Sequence, residues 1–232
     1  MRIAIHQPEF MPWLGYFDKM ARVDTYVIFD HVQFKKRYFE NRNKIKQDGE
    51  TIWLNVPVLS KGKYAQPINE VLIDNSTPWQ KKGWEKIRHC YGKSSCFQEY
   101  AEELKNVFIS RDYSRLMDFN LACIIWFRQI LRINTPLVYS SALDVRDYKA
   151  SDLILRICLR LGATEYLCGP SGKDYLQLDD FEKNNITVIW QDFKHPEYPQ
   201  FGDGFVPYLS TLDLVMNCGK ESRNILLPDI GD

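Results

Sequence analysis

Strand–helix–strand alternation, present at both ends of the chain and interrupted between them, constrains this sequence more than any single motif. Residues Arg2 to His6 form a short apolar run of the kind that makes a buried strand. Pro8 and Pro12 break it. A helix is predicted from Pro12 to Arg22, with proline in its first turn and Trp13, Phe17 and Met20 on one face. Thr25 to Phe29 reads as a second strand. Two strands joined by one helix imply a parallel pair with a right-handed crossover. The pattern returns in the second half: a strand at Leu137–Tyr139, a helix from Lys149 to Leu161 stopped by Gly162, and a strand at Glu165–Cys168. A short helix at Leu178–Lys183 and a strand at Thr187–Trp190 complete it. The expectation is an α/β chain, a mainly parallel sheet with flanking helices.

The middle departs from this. Thr51–Val56 and Ile68–Ile73 read as strands with no helix between them, an antiparallel excursion. Helices are predicted at Trp79–Cys90, Phe97–Ser110 and Ser114–Leu131, so a helical subdomain at about 78–133 is expected inside a single domain spanning 1–232. Near the end, Ser210 and Asp213 have the spacing of a capping box before a helix through Asn217, with Gly219 as its stop.

Composition excludes several classes. Thirty basic side chains balance thirty acidic ones, without the basic excess of wholesale nucleic-acid binders. The six cysteines are scattered, with no CxxC pair, and fit free buried thiols of a reducing compartment better than zinc ligands, so no metal site is expected. No apolar run reaches the roughly 20 residues of a membrane span, and the N-terminal stretch is too short for a secretory signal core. A cytoplasmic protein without membrane insertion is the expectation.

The candidate site residues cluster at the predicted strand ends, where open α/β sheets bind ligands. His6 and Gln7 end the first strand, a titratable ring beside a donor/acceptor amide. Trp13 and Tyr16, opening the next helix, serve either to stack a ligand or to fill the core; Gly15 permits close approach of a ligand or of neighbouring backbone. Asp30, His31 and Gln33 follow the second strand, and Asp30 with His6 and His31 would form an acid/base cluster. Asn41, Arg42 and Lys44 begin a basic stretch, read as a phosphate-binding or simply solvated loop. Gly169, Gly172, Lys173 and Tyr175 follow a later strand and offer N–H groups and a charge to an anion, without matching the GxxxxGK[ST] pattern. His195 stands in a proline-bracketed aromatic segment suited to a rim or lid. No GxSxG elbow occurs, which argues against a serine hydrolase.

Taken together, His6-Gln7-Pro8, Pro12-Trp13, Gly15-Tyr16-Phe17, Asn41 to Lys46, Val56-Pro57, Thr77-Pro78-Trp79, Gly169, Gly172 and Tyr175, His195-Pro196 and Ser210 to Asp213 resemble the WbqC-like family over nearly the whole chain. That resemblance implies a role alongside proteins of bacterial O-antigen and capsule clusters: a transferase adding an acyl or aminoacyl group to a nucleotide-linked amino sugar. The donor stays open between a thioester of coenzyme A or of a carrier protein and ATP-Mg; the small-molecule partner expected is a nucleotide sugar. The opening is also similar in order to pantothenate synthetases and related nucleotidyltransferases, a Rossmann-like arrangement. The stretch Pro12-Trp13-Leu14-Gly15-Tyr16 lacks both histidines of their HxGH motif. An ATP-dependent ligase or a non-catalytic nucleotide-sugar-binding protein therefore stand as alternatives.

Overall fold

A computed structural model describes residues 1–231. Five parallel strands, β1 (Arg2–His6), β2 (Thr25–Ile28), β5 (Leu137–Tyr139), β6 (Glu165–Cys168) and β7 (Thr187–Trp190), form one sheet in the order β5-β2-β1-β6-β7. The α/β expectation holds, with helices on both faces of the sheet. Side-chain alternation along each strand divides the sheet's two faces. Ala4, Tyr26, Ile28 and Leu167 pack with α1 (Leu14–Ala21) and α4 (Leu116–Ile130) in the larger core. Ile3, Ile5, Val27, Tyr166 and Cys168 pack with α5 (Ala150–Arg160) in the smaller one. A strand apolar on both faces is what a central parallel position requires.

The chain order decides where a ligand fits. From β1 the chain moves outward through β2 to β5, then crosses to the other side of β1 to lay down β6 and β7. The direction of winding reverses between β1 and β6, and the crevice outside their carboxyl ends is the topological switch point. His6 ends β1, and Gly169 follows β6.

Two middle elements differ from the sequence expectation. The basic run is a strand: β3 (Arg42–Gln47) pairs antiparallel with β4 (Glu50–Asn55). Asp48 and Gly49 at their turn have φ of 48° and 79°, the double left-handed geometry of a two-residue hairpin. Ile68–Ile73 is not a strand. Ile68–Glu70 is one 3₁₀ turn, and the flanking residues make only isolated bridges, Val58 to Ile73 and Leu72 to Arg115. Ile68 and Val71, three apart, both turn into the core, which a 3₁₀ turn allows and a strand does not.

The helix α2 (Trp79–Tyr91) runs one residue past its expected end, α3 (Phe97–Phe108) stops two residues early, and α4 begins two residues late and ends one early. After α6 (Leu178–Lys183), α7 (Thr211–Cys218) starts at Ser210, whose hydroxyl accepts from the Leu212 N–H at 3.2 Å. Asp213 does not return to the Ser210 N–H, which bonds the Lys44 carbonyl; its carboxyl takes the Tyr198 hydroxyl at 3.0 Å, so only half of the expected capping box forms. Gly219 ends α7 at φ 53°. A final short helix, α8 (Ser222–Leu226), closes the fold.

Candidate functional site

Two adjoining clefts open at the carboxyl edge of the sheet. The first, of about 360 Å³, lies at the switch point between His6 and the Gly169–Ser171 turn and is floored by Lys19 of α1. The second, of about 490 Å³, lies over the start of α5, with Gln7, Phe29, Leu153 and Tyr175 on its walls. His6, Glu9, Tyr38 and Ser171 border both. The partition between the clefts is therefore built from these four residues, with His6 and Glu9 side by side in it.

The loop that carries Glu9 is held from three sides. Asn120 of α4 donates to the carbonyls of Pro8 at 2.8 Å and Glu40 at 2.7 Å. Asn43 of β3 donates to those of Phe10 and Met11, at 3.2 and 2.8 Å. The Phe10 N–H bonds the Phe39 carbonyl at 2.9 Å. Such anchoring fixes a group that would otherwise turn to water, as a preorganised site needs.

Glu9 is 7% exposed, yet its Oε2 has no hydrogen-bond partner. Burial pushes its carboxyl up to about 8, opposed by Lys19 and reinforced by Glu40. Glu40, itself buried, is pushed up to about 7 by desolvation. His6 is held down to about 3, first by burial and then by the Lys19 charge. Its Nδ1 sits 3.1 Å from the Gln7 carbonyl, an acceptor only, so that nitrogen carries the proton and Nε2 presents a lone pair. Nε2 faces Glu9 Oε1 across 3.9 Å, too long for a hydrogen bond. The Tyr16 ring meets the imidazole edge-on at 5.0 Å and fixes its plane.

Lys19 is 3% exposed and, among the described residues, its ammonium has no hydrogen bond or ion pair. Burial lowers its ammonium to about 8, offset by Cys168 and Glu9. At neutral pH the cleft holds neutral His6, a largely protonated Glu9 and charged Lys19, a net positive site in an apolar wall.

Of the residues predicted from sequence, His6, Trp13, Tyr16, Lys44 and Gly169 border the first cleft, and His6, Gln7 and Tyr175 the second. Asp30 and His31 border neither, and no described hydrogen bond or ion pair joins Asp30 to His6. The Asp30 carboxylate instead ties β2 to the turn after β5, accepting from Ser140 Oγ, Ser141 N and Ser141 Oγ at 2.9, 2.9 and 2.6 Å. His31 Nδ1 meets Ser140 Oγ at 2.7 Å. Gln33 donates to the Tyr64 carbonyl and Asn41 to the Val56 carbonyl, both pinning loops. The Arg42 guanidinium lies 4.0 Å over the Trp53 ring, and Lys173 5.6 Å from Trp190, so neither charge faces the switch point.

The glycines have packing reasons. A Cβ on Gly15 would stand 2.3 Å from the Trp13 ring, which lies across the helix start; on Gly172 it would stand 2.2 Å from Cys168 Sγ. His195 sits behind the rim: its Nε2 accepts the Tyr208 N–H at 3.1 Å, holding Tyr208 at φ 58° where its ring faces Trp13.

Sequence reasoning missed Glu9, Lys19, Tyr38, Ser171, Gln191 and Tyr208. Only Lys19 left a signal, a charge on the otherwise buried apolar face of a short helix. Among the described residues no group of three or more His, Cys, Asp or Glu side chains is placed to hold a metal, and no helix is long and apolar enough to cross a membrane.

No solved structure matches the chain. A protein of Mycobacterium tuberculosis (strain ATCC 25618 / H37Rv) described as "Uncharacterized protein Rv1507c" is 35% identical over 226 residues, covering 97% of each chain. The family match spans residues 7–225, which takes in the anchored loop, the α7 cap and the switch-point cleft apart from His6. The chain belongs to the WbqC-like protein family.

Proposed function

We propose that this chain is a transferase that joins an acyl or aminoacyl group to the amine of a small nucleotide-linked sugar, with the chemistry at the partition between the two clefts. The observation that supports it is the cluster at the switch point, where the buried Glu9 keeps an oxygen without a partner beside His6 and the buried, unpaired ammonium of Lys19. Groups buried without partners cost stability and persist where a ligand completes them. The resemblance to O-antigen and capsule cluster proteins supports the pathway, surface-polysaccharide synthesis in the cytoplasm.

The transfer balances as follows. The amine lone pair attacks the donor carbonyl carbon, a C–N bond forms, and the bond from that carbon to the leaving group breaks. The proton released by the amine passes to the Glu9–His6 pair, with Glu9 as the acceptor in the minor fraction that is ionised at neutral pH and His6 Nε2 as the neutral relay beside it. The departing thiolate or phosphate takes up that proton or leaves as an anion. Donor and acceptor occupy the two clefts that meet at these side chains. The donor is a thioester of coenzyme A or of a carrier protein, or an acyl group activated by ATP-Mg.

A thermal-shift screen of nucleotide sugars, ATP-Mg and coenzyme A thioesters, followed by turnover with the amino-sugar form that binds, tests this. His6→Ala is expected to cut turnover by about 10²–10⁴-fold with an unchanged circular dichroism spectrum. Full turnover in His6→Ala removes the residue from the chemistry. Nucleotide-sugar binding without turnover in any donor pair overturns the transferase in favour of a binding protein.

A further inference from the structure

The first cleft contains a cation, the Lys19 ammonium, that has no hydrogen bond or ion pair among the described residues. Lys19 sits on α1, four residues after Gly15 and so on the same helix face. Side chains on a helix lean toward its N-terminus, and Lys19 reaches up into the cleft that Gly15 and Tyr16 border. That N-terminus has no side-chain cap: Trp13 occupies the cap position in an extended conformation and gives no oxygen to the first turn. The Tyr16 N–H is taken by the Trp13 carbonyl and the Trp13 ring lies across the helix start, so the group by which α1 offers a charge to the cleft is the Lys19 ammonium.

Gly169 closes the arrangement. A Cβ there would lie 3.8 Å from Lys19 Nζ, so the glycine leaves open the ground directly over the ammonium. Its φ of −71° suits any residue, so conformation does not explain it. Lys44 also lines the cleft and supplies a second cation, with Trp13 and Tyr208 among its other lining residues. A charge removed from water without a partner is unfavourable, and an anion drawn into the cleft is its natural complement.

We propose that the Lys19 ammonium and the open face of Gly169 form a phosphate subsite that anchors the diphosphate of the substrate, with Lys44 as its outer contact. The inference deepens the transferase reading and rests on it for the identity of the substrate; the subsite itself is testable with no turnover at all. Of the charges first read from sequence, Lys44 lines this cleft although it also lies 5.6 Å from the Trp53 ring, while Arg42 and Lys173 do not line it.

The test uses thermal unfolding of the full chain with inorganic pyrophosphate, uridine diphosphate and uridine. Pyrophosphate and uridine diphosphate are expected to raise Tm by about 5–10 °C at a hundredfold excess over their Kd, and uridine by little. A larger effect of the nucleotide assigns the phosphate to a nucleotide; equal effects assign it to a phosphate group of any source. Lys19→Met is expected to raise the Tm of the free protein, because it removes a buried unpartnered charge, and to weaken pyrophosphate at least about tenfold. Gly169→Val, tolerated by its backbone, places methyl groups over the ammonium and is expected to weaken pyrophosphate similarly in a protein that keeps Lys19. Wild-type affinity for pyrophosphate in either folded variant, an equal response to uridine, or no response to either phosphate overturns the subsite. Turnover persisting in Lys19→Met with an unchanged KM sinks the subsite and leaves the transferase standing.

Discussion

Two acid–histidine pairs lie at neighbouring strand ends, and they are opposites. At the end of β2, the Asp30 carboxylate receives three short hydrogen bonds from Ser140 and Ser141 and a long one from Asn69 at 3.4 Å; only His31 Nε2 is left over. At the end of β1, Glu9 keeps an oxygen with no partner, His6 stands 3.9 Å away, and Lys19 bonds to nothing. Both are buried and both look like chemistry in a one-dimensional reading. A saturated network has no capacity left for a ligand and serves to lock strands together; an unsaturated one bordering a cavity has that capacity and destabilises the protein until it is used. Satisfaction of hydrogen bonds, rather than residue type, separates the structural pair from the candidate site.

The largest test of this contrast exchanges a carboxyl for an amide in each pair. Asp30→Asn turns an acceptor-only group into a donor facing the hydroxyls and N–H of Ser140 and Ser141, and is expected to cost about 3 kcal/mol, lowering Tm by about 6–12 °C. Turnover per folded molecule is expected to stay within a few-fold. Glu9→Gln removes a buried titratable group, is expected to leave Tm unchanged or raised, and to lower turnover sharply. Denaturant unfolding beside an activity assay reads both. Unaltered stability with lost turnover in Asp30→Asn would move Asp30 into the site.

A smaller effect follows from pH. Glu9 has a folded pKa raised to about 8 above its usual 4.5, so the native state binds its proton more tightly than the unfolded chain, and stability falls as pH rises through that interval. The other groups around it act in different windows. His6, lowered to about 3 from 6.5, makes stability rise with pH below 6.5 and contributes nothing above it; Glu40 acts as Glu9 does but only to about 7. Lys19, lowered to about 8 from 10.5, makes stability rise with pH above 8. Between pH 7 and 8 Glu9 dominates, and stability is expected to fall by on the order of 1 kcal/mol. Urea midpoints at pH 7.0 and 8.0 measure the slope, which should vanish in Glu9→Gln. An equal slope in that variant would show that Glu9 titrates normally. Phosphate affinity is expected to weaken over pH 8–9 as Glu9 ionises and Lys19 loses its proton.

The sheet was legible because Ile3-Ala4-Ile5, Tyr26-Val27-Ile28 and Tyr166-Leu167-Cys168 are apolar on both faces, which only a doubly covered parallel strand rewards. The hairpin was not, although Asp48-Gly49 is a strong turn signal. Arg-Asn-Lys-Ile-Lys-Gln has one apolar residue in six, and its strand forms because Arg42 and Lys44 cover Trp53 while Asn43 and Ile45 turn inward. Within the site, His6 was visible because it ends the first strand. Glu9 and Lys19 were not, since each acquires its meaning from burial by elements distant in sequence: Asn120 of α4 and Asn43 of β3 for the Glu9 loop, the turn after β6 for Lys19. The proximity of Asp30 to the first strand end was read correctly from topology; what topology could not supply was Ser140 and Ser141, about 110 residues on, which consume its lone pairs.

The smallest expected effect is the most discriminating for the structural pair. Asn69 donates to Asp30 Oδ2 at 3.4 Å, while its own N–H bonds the Asp30 carbonyl at 3.0 Å. Asn69→Ala removes only the long side-chain bond and keeps the backbone one. If the serine donors already satisfy the carboxylate, the loss is expected to be about 0.5 kcal/mol, a shift of one or two degrees in Tm. A loss as large as that of Asp30→Asn would mean that the serines do not hold Asp30 alone. The carboxylate would then have an oxygen available on losing a single neighbour, and the distinction between the two pairs would become one of degree.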